Sequence, residues 1–471
     1  MNKSSISPAP GVPSLSSVAL PIFGELALQM GVGILSMWLI SQQSVAAAAA
    51  VNTVFFLVFF GYVLLRFVTM GASVVATQYL GAGERKSAQE ICYNALTGSM
   101  WMGALCALVL SVGADPIFRL WSFPQELLPY AKPYLQLLAL LLLIEAPNLC
   151  LIALLRAYGQ AQITFVMNLA SYLVQVLGLC AVLYGWNAPI LDKMPWLAIV
   201  ALISRSCFLA GTWWLQRSSI GLKWRNEILW KMDWLRLKPV MAIGMPAAAE
   251  NLAYHMSFML IMKVIGMLGA KAVIAQSFVR QIMGLIMLFG MALGLATEVV
   301  IGYQVGAGDL QAAARQLRRS LILGWVVTAT VSIIVAIFAE PILRFFTLDT
   351  EYIEIGVPLM RLCILIETGR TFNLIVINAL RAAGDSRFPV MFGVFSMWGV
   401  AVPLAWLLGL HSPLALVGVW LAYAADEWVR GLANLWRWRG GKWRKYATRI
   451  KQRIDSERAI ASPATKPIFL T

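Results

Sequence analysis

The sequence predicts an all-α membrane protein in which twelve transmembrane helices form two homologous six-helix bundles. The 471-residue chain is 60% hydrophobic and only 13% charged, whereas a soluble domain carries about 25% charged residues. Apolar runs of roughly 20 residues, the length that spans a bilayer, recur along the chain, for example at 135–155, 163–184 and 390–410. Four short motifs also repeat in order at one fixed spacing.

The repeat defines the two bundles. Pro21 and Glu25 recur as Pro246 and Glu250, with an offset of 246 − 21 = 225. The same offset relates GAGE at 81–84 to GAGD at 306–309, DPIFR at 115–119 to EPILR at 340–344, and LRAYG at 155–159 to LRAAG at 380–384. Because six is an even number, both bundles enter the membrane from the same side. We therefore expect an axis along the membrane normal to relate them.

The repeat and the apolar runs divide the chain into five parts. They are an N-terminal tail (1–17), a first bundle or N-lobe (18–216), a linker (217–240), a second bundle or C-lobe (241–435) and a C-terminal tail (436–471). Lysine and arginine concentrate in alternate connections, in the linker and in the C-terminal tail. By the positive-inside rule, this predicts a multi-pass protein of the inner or plasma membrane with both termini in the cytoplasm.

The two basic segments are expected to lie at the membrane surface. The linker places Trp224, Trp230 and Trp234 at near-helical spacing among basic residues, which predicts an amphipathic helix on the cytoplasmic leaflet. The C-terminal tail is predicted to be solvated and close to anionic lipids. Since most of the net charge of +15 lies in such segments and in the short connections, we expect membrane lipids as partners and no nucleic acid.

Several other classes of site are disfavoured by the motifs. The six cysteines lie in apolar stretches without CxxC or Cys/His spacing, so we expect neither a disulfide framework nor a metal site. The chain has no HExxH or GxSxG, which argues against an enzyme, and no cofactor is expected. The GAGE and GAGD motifs lack the Lys-Ser/Thr of a phosphate loop and are interpreted as helix ends.

Charged residues inside the predicted helices are functional candidates, because a charge at bilayer depth costs several kcal/mol. The candidates for ion coupling are Glu250, Glu25, Glu367, Glu145 and His255. A carboxylate in the membrane can take up and release a proton. The alternative is permanent pairing with a buried arginine.

Two arginines are the predicted partners of these carboxylates. Arg280 is a candidate partner of Glu250, and Arg370 is expected to pair with Glu367 or Glu250. Glu145 is the repeat counterpart of Arg370, since 370 − 225 = 145, and an ion pair between them across the lobes is a further hypothesis.

Other charged residues are interpreted as structural. Residues near predicted helix ends, among them Arg205, Glu298 and Arg430, are taken as anchors whose long side chains reach the interface. Arg156 and Arg381 each combine a helix end with a cytoplasmic charge, for which a topological role suffices.

Aromatic and methionine side chains near the helix centres are candidates for lining a substrate cavity. They are Trp38, Phe55, Phe59, Tyr254, Met283, Met287, Phe395 and Trp398. Such a lining can accept varied flat hydrophobic cations.

The motifs resemble those of the multidrug and toxic compound extrusion (MATE) family over about residues 18–440. Besides GAGE and GAGD, the resemblance rests on LRAAGDSRFP at 380–389 and on GVWLAYAADEWVRG at 418–431 followed by GGKW at 440–443. It implies a V-shaped pair of bundles, alternating access, and export of drugs coupled to sodium or proton entry.

The sequence departs from this family at its N-lobe cation site. Many bacterial members carry an aspartate where this chain has Ser36, and Gln175 is the only polar residue where an asparagine and an aspartate are expected. Ion coupling should therefore depend on Glu250, Glu25 or Glu367. The scarcity of acidic ligands favours protons over sodium.

The preferred hypothesis is an antiporter, functional as a monomer, that exports small aromatic and often cationic compounds. One alternative is a flippase for a lipid-linked precursor, which belongs to the same wider superfamily. An intramembrane enzyme is the alternative from a different class. The sequence leaves the identity of the substrate, the coupling ion and the stoichiometry open.

Overall fold

The computed structural model describes residues 11–120, 125–223 and 230–461, and the regular structure in these ranges is helical. The N-lobe helices are α1 (Leu15–Gln43), α2 (Val45–Gly81), α3 (Arg85–Val112), α4 (Ala114–Leu120), α5 (Leu128–Ala157), α6 (Ala161–Tyr184) and α7 (Ile190–Ser219). The C-lobe and tail helices are α8 (Trp234–Met267), α9 (Ala270–Ala307), α10 (Leu310–Ile337), α11 (Ala339–Phe346), α12 (Thr350–Ala382), α13 (Arg387–Ser396), α14 (Val402–Leu410), α15 (Ala415–Arg439) and α16 (Lys442–Ala461).

The predicted pair of six-helix bundles is confirmed. The N-lobe spans are α1, α2, α3, α5, α6 and α7, and the C-lobe spans are α8, α9, α10, α12, α13 with α14, and α15. The short helices α4 and α11 follow the third span of each lobe and carry the repeated DPIFR and EPILR motifs. The repeat is broken in the fifth span of the C-lobe, where a π-helical turn, Met397–Ala401, separates α13 from α14.

Glycines end the spans as the motifs predict. Gly83 and Gly308, after α2 and α9, have φ angles of +82° and +84°, a conformation that favours glycine. The Asp309 carboxylate then accepts a hydrogen bond from the first turn of α10 at 2.8 Å. Gly159 and Gly384 adopt the same left-handed conformation after α5 and α12. These motifs are therefore helix ends, as interpreted.

The lobes meet through close helix crossings of α2 with α8 and α9. A Cβ on Gly71 would collide with the Val240 carbonyl group, and one on Gly244 would collide with that of Phe67. Gly81 and Gly306 lie equally close to the backbone of the opposite lobe. These crossings lie on the side of the molecule that carries both ends of the described chain, called here the terminus side.

The opposite side, called the far side, is more open. The contacts between lobes include Phe59 with His255, whose ring centroids are 4.4 Å apart. Beyond this contact, Trp38, Phe55 and Met259 are exposed on α1, α2 and α8. The space between these helices, from the crossing at Gly71 to the far side, is called the cleft, and the Phe59–His255 contact lies within it.

The predicted solvated tail is wrong for the described residues of 436–471. Helix α15 continues to Arg439, and α16 folds back across the terminus side. The Trp443 ring is 1% exposed and stacks on Trp438 with centroids 4.0 Å apart. The sequence does contain the cause, an apolar stripe at Trp443, Ala447, Ile450 and Ile454. The prediction of a solvated tail rested on the basic residues and did not include this apolar helical face.

Helix α16 also joins the two lobes. Ile454 packs into a core cluster of the N-lobe, and the Tyr79 hydroxyl donates to the Glu457 carboxylate at 2.6 Å. Arg458 forms an ion pair of 3.2 Å with Glu84. Trp443 packs into a core cluster that consists mainly of C-lobe residues. The tail helix therefore spans the interface between the lobes.

The linker differs in part from the predicted surface helix. Trp230 lies in a turn, and Trp234 is the first residue of the long span α8. Trp224 lies outside the described residues.

Candidate functional site

The first charged pair of the N-lobe joins α1 to the end of α5. Glu25 is buried, and its Oε2 lies 2.7 Å from an Arg156 nitrogen. Asn168 of α6 donates to the other carboxylate oxygen at 2.8 Å, and the Thr164 hydroxyl approaches Oε2 at 3.3 Å. Both oxygens of Glu25 are therefore engaged. Arg156 is an ion-pair partner in addition to the topological role predicted for it.

A second pair continues this network into the N-lobe core. Arg205 of α7 forms two hydrogen bonds with the Glu145 carboxylate, at 2.6 and 3.1 Å, and donates to the Asn168 side-chain oxygen at 3.1 Å. Tyr62 also donates to Glu145 at 3.3 Å. Two predictions are therefore wrong. Arg205 is a buried network residue rather than an anchor, and Glu145 pairs within its own lobe rather than with Arg370.

The C-lobe contains the counterpart of the first pair. Glu250 of α8 is buried and its Oε2 accepts from Arg381 at 2.6 Å. The separations in sequence are identical, 156 − 25 = 131 and 381 − 250 = 131. Pairing of Glu250 with Arg280 is thus wrong. Arg280 lies instead over the Phe258 ring, 4.3 Å from its centroid.

The inner C-lobe network is larger than that of the N-lobe. Arg370 donates to Glu367 at 2.6 Å, which confirms that pair, and to Glu427 of α15 at 3.1 Å. Arg430 contacts Asp426 at 2.6 Å and Glu427 at 3.1 Å. Arg430 is therefore buried in a network and is not an anchor.

Polar neighbours complete most of this network. Asn373 donates to Glu427 at 3.0 Å, and Ser396, next to the π-helical turn, donates to Asp426 at 2.7 Å. One carboxylate oxygen, Oε2 of Glu367, is buried and has no hydrogen-bond partner among the described residues. Glu298 of α9 is buried near Arg381 and has no ion pair in the described part of the chain, so it is not an interfacial anchor either.

The lobes differ in the balance of their buried charges. In the N-lobe network, Arg156 and Arg205 balance Glu25 and Glu145, 2 − 2 = 0. The C-lobe spans bury three arginines, Arg370, Arg381 and Arg430, and five carboxylates, Glu250, Glu298, Glu367, Asp426 and Glu427, so that 3 − 5 = −2. An uncompensated buried carboxylate is unfavourable unless it takes up a cation.

The structure brings some of the predicted cavity residues together. Phe59 and Tyr254 both contact the His255 ring, with centroids 4.4 and 5.4 Å away. The Met287 sulfur lies 3.7 Å from Arg370, and Met283 packs at the edge of the C-lobe core.

The other predicted cavity residues lie apart from this group. Trp38 and Phe55 are exposed nearer the far side, and the Phe55 ring contacts Tyr134. Phe395 contacts Phe392 on α13, and both Phe395 and Trp398 are exposed. Phe258, which the sequence did not single out, stacks on Tyr423 and lies under Arg280.

Within the described residues, no group of histidine, cysteine, aspartate and glutamate side chains is arranged to hold a metal ion.

Comparison with known proteins adds a family to this geometry. The family model MatE matches residues 21–180 and 246–407, one match in each lobe. The "Uncharacterized transporter YisQ" of Bacillus subtilis is 32% identical over 440 residues, which cover 93% of this chain and 96% of that protein. The "Probable multidrug resistance protein NorM" of Thermotoga maritima is 23% identical over 454 residues, covering 93% and 95%. A crystal structure of "MATE in the straight conformation" superposes with a TM-score of 0.83 at 18% identity, covering 93% of this chain and 96% of that one.

Proposed function

The chain belongs to the MatE family of multidrug efflux transporters, and we propose that it is a secondary active antiporter that exports small aromatic compounds by alternating access, driven by proton entry. It is a multi-pass membrane transporter and not an enzyme. The proposal places both termini in the cytoplasm, as the basic connections predict, and no cofactor beyond the coupling ion is invoked.

The arrangement of the lobes supports alternating access. The close crossings at Gly71, Gly81, Gly244 and Gly306 seal the terminus side, while the cleft opens to the far side. With cytoplasmic termini, this is an outward-facing state. The inward-facing state requires the glycine crossings to separate.

The charge excess of the C-lobe is the observation that carries proton coupling. Its spans bury two more carboxylates than arginines when the unpaired Glu298 is counted, whereas the N-lobe network is balanced. Proton uptake by Glu367 or Glu250 reduces the excess without any rearrangement of ligands. Sodium is the less favoured ion, since it requires several oxygen ligands around one point and half of the buried C-lobe carboxylate oxygens already face arginines.

Proton uptake also gives a route to the substrate site. When Glu367 is neutral, its bond to Arg370 weakens, because charge-assisted hydrogen bonds are stronger than neutral ones. Arg370 lies next to Met287 and within electrostatic reach of Tyr254, so its movement changes the C-lobe wall of the cleft. We infer that Glu367 and Glu250 couple protons to transport, while Glu25 and Glu145 hold the N-lobe together and His255 lines the cleft.

A flippase for a lipid-linked precursor is the second candidate function. The observation that favours it is the exposure of Arg66 and Arg280 on spans, since basic side chains suit an anionic headgroup.

Transport by purified protein in proteoliposomes tests the antiporter. Efflux of a panel of fluorescent aromatic compounds is measured after a proton gradient, a sodium gradient or no gradient is imposed, with protein-free liposomes as the control. We expect efflux above the control under the proton gradient alone. Efflux driven only by sodium would contradict proton coupling, and translocation of labelled lipids without efflux of any soluble compound would favour the flippase.

A further inference from the structure

Arg66 is an exposed arginine deep within span α2. It lies 66 − 45 = 21 residues from the far-side end of the helix, about 30 Å at a rise of about 1.5 Å per residue. It follows Phe59 by seven residues and so shares its helix face, which meets His255 across the cleft. Its positive charge acts on His255, and the positive charge of Arg156 repels it. In the described part of the chain, no carboxylate pairs with its guanidinium.

Arg280 is a second exposed arginine, on the C-lobe wall. Its guanidinium lies over the Phe258 ring, and one nitrogen is 3.9 Å from the Met262 sulfur. Phe258 is three residues from His255 on α8, so Arg280 lies about one turn nearer the far side than the Phe59–His255 contact. None of the described carboxylates forms an ion pair with Arg280.

Carboxylates are absent from the same wall. In the described spans, every acidic side chain more than two turns from a helix end is buried, namely Glu25, Glu145, Glu250, Glu298, Glu367, Asp426 and Glu427. Arg66 and Arg280 would be costly if they faced lipid, and their neighbours on other helices place them at the cleft. Its accessible charge is therefore positive.

We propose that the cleft binds an organic anion, a small flat aromatic compound with a carboxylate or a similar acidic group. The planar guanidinium of arginine pairs with a carboxylate through two parallel hydrogen bonds. The rings of Phe59, Tyr254 and Phe258 provide the apolar surface for the aromatic part. The proposal rests on the proposed export function, and it replaces the cationic substrate that the sequence suggested.

A cationic aromatic compound fits this cleft less well. Unpaired charges of the same sign disfavour a competing ligand, and low-dielectric walls strengthen that repulsion. The carboxylates that would attract a cation are instead buried and most are engaged by arginines. The cleft therefore selects ligands by the sign of their charge.

Binding of three matched probes to purified protein tests the proposal. Naphthoate, naphthylmethanol and naphthylmethylamine share one ring system and differ in charge. We expect naphthoate to bind about tenfold or more tightly than the amine, because hydrogen bonds to charged groups contribute about that factor. Equal or tighter binding of the amine would overturn the proposal.

Variants assign the preference to the two arginines. Naphthoate has one carboxylate, so one of the two single variants, Arg66→Gln or Arg280→Gln, should weaken its binding by about tenfold and leave the neutral alcohol unaffected. Arg361→Gln is the matched control, since Arg361 is exposed in span α12 but points half a turn away from Arg370. Arg66→Glu should gain binding of the amine, an outcome that misfolding cannot produce. Unchanged naphthoate binding in both glutamine variants would overturn the site.

Two further experiments distinguish this proposal from a lipid-headgroup site and from the antiporter proposal itself. A soluble short-chain phosphatidylglycerol is used as a competitor, and if it binds more tightly than naphthoate and depends on Arg66, the occupant is a lipid headgroup and the proposed small anion is wrong. Naphthoate binding without transport under any gradient would support the anion site and contradict the antiporter. Gradient-driven transport of the amine in preference to naphthoate would support the antiporter and contradict the anion site.

Discussion

Glu25 and Glu250 occupy the same place in the two lobes, yet the residues around them differ, most clearly at one position. In the N-lobe, Asn168 donates to the free oxygen of Glu25 at 2.8 Å. The repeat counterpart of Asn168 is Gly393, since 168 + 225 = 393, and a Cβ added there would lie 3.3 Å from Oε1 of Glu250. The amide is therefore missing in the C-lobe, and Oε1 of Glu250 has no donor among the described residues.

The inner networks differ in the same direction. Arg205 and Arg430 are repeat counterparts, as 205 + 225 = 430, but the N-lobe partner Glu145 is replaced by Arg370. Three carboxylates, Glu367, Asp426 and Glu427, surround the two C-lobe arginines. The repeat thus preserves the outer ion pair in both lobes, while the inner residues differ and leave one lobe balanced and the other with excess acid. The comparison shows that two repeat-related sites can differ in charge balance, which is the basis of the coupling proposed for the C-lobe.

The largest expected effect comes from breaking the balanced N-lobe network. Arg205→Met leaves the buried Glu145 carboxylate without its cation, and removing one member of a buried ion pair costs about 3–5 kcal/mol. We expect a large loss of thermal stability in detergent. The double variant Arg205→Met with Glu145→Leu should recover most of it, because an apolar pair can replace a buried ion pair. A single variant as stable as wild type would contradict the structural role assigned to this pair.

Substitutions at Asn168 and at its counterpart Gly393 test the difference between the two lobes. Asn168→Ala removes the hydrogen bonds to Glu25 and from Arg205, and hydrogen bonds to charged groups contribute about 1.5–3 kcal/mol. We expect that loss of stability with proton-driven transport retained.

The reverse exchange, Gly393→Asn, brings an amide against Glu250 and should slow proton-driven transport. Both variants are compared by thermal unfolding and by transport in proteoliposomes. If Asn168→Ala slowed proton-driven transport more than Gly393→Asn, the division of roles between the lobes would be wrong.

The smallest expected effect concerns the contact that joins the lobes at the tail helix. Tyr79→Phe removes the hydrogen bond to Glu457, which should lower stability by about 0.5–1.5 kcal/mol. Glu457→Gln preserves an acceptor and should lower it less. Thermal unfolding of both variants checks the order, and equal losses would show that the hydroxyl bond contributes little.

The sequence predicted the architecture because hydropathy and the repeat act over many residues. The two lobes and the glycine helix ends follow from such signals and are confirmed, and ten of the described helices are long and apolar enough to cross a membrane. The packed tail helix was not predicted, because its apolar stripe is interspersed with basic residues. The stripe consists of Trp443, Ala447, Ile450 and Ile454.

The site was predicted less completely. The carboxylates were found from the rule that charge is costly in a membrane, but their partners were not, since contact between α5 and α1, or between α12 and α8, depends on packing. A signal was available in the equal separation of 131 residues between Glu25 and Arg156 and between Glu250 and Arg381. The prediction that charged residues near helix ends are interfacial anchors was wrong for Arg205 and Arg430. Both side chains are buried in the lobe cores.

The most direct test of the C-lobe's role is proton-driven transport by Glu367→Gln, Glu250→Gln and Glu25→Gln in proteoliposomes, at matched protein levels and beside gradient-free exchange of the same compound. We expect Glu367→Gln and Glu250→Gln to lose the response to the proton gradient while retaining gradient-free exchange, and Glu25→Gln to keep both. A gradient response that survives in both C-lobe variants and disappears in Glu25→Gln would contradict the account and place proton coupling in the N-lobe.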